Sequence, residues 1–148
     1  IRSTMRVRRG FLQAMAAIAI LLGGGYLSNW LSQGACRRHL ARRALEEMEL
    51  TNTRSVTIYA LPGEAHSLQT LNSIGVPAKQ CTYRENAGET FDCFPWVSVE
   101  RIEALGPYVA QADWGHVWGG TSGVMRSTTL VSLFGLVFSV SERDTIAL

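Results

Sequence analysis

Residues 11–31 (FLQAMAAIAILLGGGYLSNWL) carry no charge, and arginines bracket them on both sides. At about 1.5 Å per helical residue, this run matches the roughly 30 Å hydrocarbon core of a bilayer. A chain with such a segment near one end has little architectural freedom. One helix is committed to apolar surroundings, and only the remainder is left to build a globular unit. With 148 residues in all, that remainder suffices for one small domain.

The net charge of +2 conceals an asymmetry: residues 1–50 hold eight arginines against three glutamates, and residues 51–148 hold six basic against nine acidic side chains. A basic stretch beside a lipid-length apolar run either fixes membrane topology or meets anionic headgroups. Nucleic acid is not an expected partner, because the basic residues flank the apolar run and the globular part is acidic. Lys79 is the only lysine, a bias toward arginine that fits GC-rich bacterial coding.

Arginines ahead of an apolar run also open a secretory signal. Gly34-Ala35-Cys36 resembles the end of a lipobox, but Gln33 stands where that motif places an aliphatic residue. A retained signal anchor is therefore the expectation, with lipidation of Cys36 left open. Arg6, Arg8 and Arg9 are expected at the cytoplasmic interface. Tyr26 and Trp30, one turn apart, are expected at the opposite one, with Arg37 and Arg38 just beyond. Gly23, Gly24 and Gly25 cost helix propensity but permit close approach. With Ser28 and Ser32, Gly24 forms a small-residue stripe, expected to pack against another transmembrane helix. Residues 37–50 are good helix formers, and Leu40, Ala44 and Met48 repeat every four residues. They are expected to continue as a stalk that lifts the domain off the surface.

The remainder reads as short strands and turns. Residues 55–61 (SVTIYAL) are β-branched and aromatic and are stopped by Pro62-Gly63. Residues 67–74 suit a short helix or a loop. Cys81 and Cys93 are symmetric about Ala87; if Asn86-Ala87-Gly88 forms a three-residue hairpin turn, they face one another at disulfide distance. A disulfide would place the domain in an oxidising compartment. Residues 96–103 alternate, Gly106-Pro107 turns the chain, and Tyr108, Ala110, Ala112 and Trp114 share a face of the next strand. After the glycine-rich loop 119–123, residues 128–140 (TTLVSLFGLVFSV) read as a strand with a bulge or bend at Gly135. The expected fold is an N-terminal transmembrane helix followed by a small β-rich domain, an antiparallel sheet or sandwich, with α+β as the alternative. The expected order is a basic cytoplasmic tail (1–10), a transmembrane helix (11–31), a helical stalk (32–52) and an extracytoplasmic domain (53–148).

Little in the sequence points to chemistry. Asp113 and His116 in DWGHVW resemble a base and its orienter, yet no nucleophile accompanies them. Glu100 and Glu103 are more simply a solvated face. Three histidines and three cysteines show no metal-ligand spacing. Residues 119–123 lack the lysine of a phosphate-binding loop. Trp96, Trp114 and Trp118 suit a β core better than a ligand platform. No enzyme and no cofactor are expected.

The expected function is that of a non-catalytic accessory or structural subunit of a larger bacterial membrane complex, with other transmembrane subunits and the lipid bilayer as partners. A respiratory or photosynthetic complex is suggested by the frequency of such subunits alone. One alternative is a membrane-tethered binding module for an envelope component. Another follows from Arg9-Gly10-Phe11 and the succeeding MAAIAIL, which resemble the start of type IV pilins and Tad-type minor pilins. That resemblance is confined to a short stretch, and Gln13, Ala14 and Met15 occupy the place of the pilin glutamate. It implies cleavage after Gly10 and a mature chain beginning at Phe11.

Overall fold

The computed structural model describes residues 2–49, 56–82, 93–119 and 122–147. The chain opens with helix α1 (Arg2–Leu31), followed after Ser32 by α2 (Gln33–Glu47). Helical hydrogen bonding continues across the join: Ser32 N–H donates to Ser28 O at 2.9 Å, and Cys36 N–H to Ser32 O at 2.8 Å. The two segments therefore form one rod about 70 Å long. Strand β1 (Ile58–Ala60), helix α3 (Ala65–Ser73) and strand β2 (Ala78–Gln80) follow. Four longer strands complete the fold: β3 (Trp96–Gly106), β4 (Val109–Gly119), β5 (Ser122–Leu133) and β6 (Leu136–Ala147).

All six strands lie in one sheet, ordered β2-β1-β3-β4-β5-β6. β1 runs parallel to β2 and β3, whereas β3 to β6 form an antiparallel meander. The fold is thus α+β, with one mixed sheet in place of a sandwich. Its second layer is helical. Leu40, Ala41, Ala44 and Met48 of the α2 region and Leu71 of α3 pack on Ile58, Val97, Val99, Ala112, Trp114 and Leu130. Burial of such side chains stabilises a domain by about 1.5–3 kcal/mol each.

Two expectations are corrected by this packing. Residues 33–47 are not a stalk: Cys36, Leu40, Ala41, Ala44 and Leu45 are buried, so α2 is the central helix of the core. The four-residue repeat is the buried stripe, and the arginines lie along its flanks. Residues 128–140 are not one strand, because the chain reverses at Phe134-Gly135, whose φ angles are 45° and 102°. Positive φ at both central residues defines the two-residue turn that matches strand twist. An aromatic residue in the first position hid it. Leu130 consequently faces the core, whereas Leu136 and Phe138 are exposed.

Cys81 and Cys93 form a disulfide with their Cα atoms 5.9 Å apart. It ties the end of β2 to the approach to β3. The turn expected at residues 86–88 and the pairing around it lie outside the described residues, as do Gly120 and Thr121 of the glycine-rich loop.

Candidate functional site

Helix α1 has two dissimilar halves. Within Ser3–Leu31, the stretch long and apolar enough to cross a membrane, only 6% of the most apolar window is buried by the rest of the chain. Gly10 and Gly23 have nothing nearby. From Gly24 onward, one face of the helix is held by the tips of two hairpins, β3–β4 and β5–β6.

Gly25 meets Pro107 so closely that a Cβ there would clash with the proline ring, and a Cβ on Gly24 would stand 3.4 Å from Tyr108 Oη. Tyr108 N–H donates to Gly25 O at 3.2 Å. One turn on, Ser28 Oγ donates to Ser132 O at 3.0 Å and accepts from Phe134 N–H at 2.8 Å. Asn29 Nδ2 donates to Gly106 O at 2.6 Å and Val109 O at 3.1 Å, and its Oδ1 accepts from Ser132 Oγ at 2.8 Å. Ser32 Oγ accepts from Gly135 N–H at 2.8 Å. The rings of Tyr108 and Phe134 meet edge-on at 6.4 Å between the two turns. Ser28, Asn29, Ser32 and Ser132 are all buried.

Gly24, Gly25, Ser28 and Ser32, the residues expected to receive a second transmembrane helix, are thus occupied by the chain's own hairpins. Gly23 faces open space. Tyr26 and Trp30 are exposed on the uncovered side, and Arg6, Arg8 and Arg9 lie on the bare part of α1. Arg37 Nη2 donates to Glu100 O at 3.4 Å. Arg38 is half-buried and lines a shallow groove with Ala35, His39, Arg42 and residues 135–137 of the second tip. Asn29 was not among the expected packing residues, and Pro107 and Tyr108, expected as a turn and the start of the next strand, were not expected against α1. A signal for Asn29 existed: a polar side chain inside the apolar run, at i+4 from Gly25.

The groups singled out for chemistry are dispersed. His116 lies on the inner face, with Nε2 2.9 Å from Glu47 Oε2, whereas Asp113 is on the other side of the strand, 3.9 Å from Arg101. Glu47 also pairs with Arg126, which bonds Asp144 at 2.6 Å. Arg43 and Arg126 sit over the Trp114 ring at 5.4 and 5.6 Å, and Arg43 pairs with Glu142. Partial burial pushes the Glu47 carboxyl up, but hydrogen bonds from His116 and Arg126 outweigh it and hold the group below its ordinary range. Glu100 accepts from Ser67 N–H at 3.1 Å, while Glu103 pairs with Arg101 on the outer face. Trp114 is wholly buried, its Nε1–H donating to Thr128 Oγ1 at 2.8 Å, whereas Trp118 is exposed. Among the described residues no three His, Cys, Asp or Glu side chains cluster as a metal site would require. Cys36 is buried in the core, and burial pushes its thiol up to about 11.

No protein-family model, no curated protein and no solved structure compared with this chain matches it.

Proposed function

We propose that this chain is a membrane-anchored, non-catalytic subunit of a larger bacterial membrane assembly. In this reading α1 crosses the inner membrane with its N-terminus cytoplasmic, and the sheet domain is extracytoplasmic. One observation carries the reading. Residues 11–23 of α1 are a bare apolar helix behind an equally bare arginine-rich start, and its last third is locked by buried hydrogen bonds to the sheet. A bare helix of that kind needs lipid or protein around it. A helix locked to its domain transmits position and orientation, which suits a structural part. The Cys81–Cys93 bridge favours an oxidising compartment for the domain. A structural role is further supported by what the ionisable groups do: His116, Arg126 and Glu100 each hold a neighbouring element in place.

Extraction in a mild detergent should yield this chain in a large stoichiometric complex. Recovery only as a free monomer would reject the proposal.

A pilin-like subunit is the second reading. It is favoured by the single rod that runs from a bare half into a half laid across the sheet, together with the resemblance at Arg9-Gly10-Phe11. N-terminal sequencing of the native protein separates the two: a mature chain starting at Phe11 supports the pilin reading.

A further inference from the structure

The hairpin tips bear on where the bilayer ends. With Arg6, Arg8 and Arg9 at one interface, about 20 apolar residues are needed to reach the other, which carries the span to Trp30 or Leu31. The tips, however, grip the helix at Gly24, Gly25, Ser28 and Asn29. Residues 11–23 alone would cover only about 20 Å of a roughly 30 Å core. The shortfall of about 10 Å lies where the tips are.

Three properties of the tips answer to that position. Their outward side chains are apolar and exposed: Leu105 and, on the other hairpin, Leu133, Phe134, Leu136 and Phe138. Both ends are uncharged over long stretches, residues 104–112 and 127–141. Key polar groups of the turn backbones are also met by the helix rather than left to water. Phe134 N–H, Gly135 N–H and the Gly106 and Val109 carbonyls bond to Ser28, Ser32 and Asn29, and Tyr108 N–H bonds to Gly25 O. Non-helical backbone is tolerated at membrane depth only when protein satisfies it in this way.

The outer face of the sheet carries the same gradient. Its end near the tips shows Val109, Val131, Leu133, Leu136 and Phe138. Farther along the same strands come Gln111, Thr129 and Ser141, then Asp113, Ser127 and Arg143. Arg38 and Arg42 flank the β5–β6 tip at residues 135–137, at the level where phosphate headgroups would lie.

We infer that the two hairpin tips are themselves inserted in the bilayer. Leu105, Phe134 and Leu136 enter the leaflet on the domain's side, next to α1, and the domain sits in the membrane surface rather than above it. The inference rests on the reading of α1 as a membrane span.

The test uses the full chain in vesicles of phosphatidylcholine and phosphatidylglycerol, with the Cys81–Cys93 bridge intact and Cys36→Ala as background. Single spin labels are placed at Leu105→Cys, Phe134→Cys and Leu136→Cys. Ile18→Cys reports on the span and Arg143→Cys on the polar end of the sheet. Thermal melts confirm that each labelled protein is folded, and labels on two separate hairpins guard against loss of one tip. Collisions with oxygen, which partitions into lipid, are compared with collisions with a water-soluble nickel chelate. Oxygen should dominate at Ile18 and at all three tip positions, and the chelate at Arg143. Chelate-dominated tips with an oxygen-dominated Ile18 would overturn the inference and leave the span standing. A chelate-dominated Ile18 would remove the span and the inference together. Tips shielded from both reagents would show that protein, such as a second copy of the chain, covers them, and would also overturn it.

Discussion

Two neighbouring glycines in α1 separate what a residue does from what its spacing suggests. Gly25 is pressed against Pro107, whereas a side chain at Gly23 would meet nothing within 4 Å. Gly25→Ala should therefore destabilise the detergent-solubilised protein by about 1–3 kcal/mol, as overpacking does. Gly23→Ala should be neutral or stabilising by up to about 1 kcal/mol through helix propensity. Midpoints of thermal unfolding followed by the near-ultraviolet signal of the buried Trp114 would check both, and equal effects would contradict the tip contact. The stripe through Gly24, Ser28 and Ser32 was legible as a packing face because period 3.6 is local information. Its occupant was not, since nothing in the spacing links Gly25 to Pro107, far along the chain. Two carboxylates give a pH signature at the same scale. The Glu47 carboxyl is held below its ordinary 4.5, so its stabilisation is present above that value and is lost as pH falls through its folded pKa. Glu64 is the reverse: burial raises it, and the Glu100 charge adds to the rise against hydrogen bonds from Ser98 and Ser67. Its contribution is present below about 4.5 and is lost as pH rises through its folded pKa. Unfolding midpoints of Glu47→Gln should fall less steeply on acidification than those of the parent. Glu64→Gln should gain stability relative to the parent as pH rises from 4 to 7.

At the scale of elements, the disulfide was readable and the role of α2 was not, for a common physical reason. Cys81 and Cys93 lie 12 residues apart, so their pairing could be read from the spacing within one short stretch of sequence. Restricting so short a loop in the unfolded chain stabilises the domain by about 3 kcal/mol in the chain-entropy model. The double variant Cys81→Ser/Cys93→Ser should lose about that much in denaturant titration. Thiol titration of the unfolded parent should rise from one group to three on reduction, since Cys36 is the free cysteine; no change on reduction would mean the bridge does not form in the protein. The helical character of α2 was equally local and equally legible. Whether its Leu40–Ala44–Met48 stripe is covered depends on elements that come later in the chain, above all the distant β3 and β4. The β5–β6 reversal was missed because Phe134 stands where asparagine or aspartate would have marked the turn.

For the whole molecule, the consequence is a domain boundary different from the one composition draws. The polar change after residue 31 and the break near residue 52 mark off 53–148 as a unit. The inner face of the sheet nevertheless has Trp114, Val97, Val99 and Leu130 packed with Leu40, Ala41, Ala44 and Met48. Without α2 those four sheet residues meet water, and at about 1.5–3 kcal/mol each the loss of roughly 6–12 kcal/mol is comparable with the usual 5–15 kcal/mol of a small domain. A fragment of residues 53–148 should therefore show no cooperative melt in near-ultraviolet dichroism. A fragment from Gln33 restores the core helix but leaves the hairpin tips without Ser28, Asn29 and Ser32. It should fold a few kcal/mol less stably, at about 1 kcal/mol for each buried hydrogen bond removed. A fragment of residues 24–148 retains both the core helix and the grip on the tips, and should melt as cooperatively as the full chain. A cooperative melt for 53–148 would mean that the rod is attached to a self-sufficient domain. The ordering expected here, with 24–148 above 33–148 and 53–148 unfolded, would instead make the end of the apolar helix an integral part of the fold it anchors.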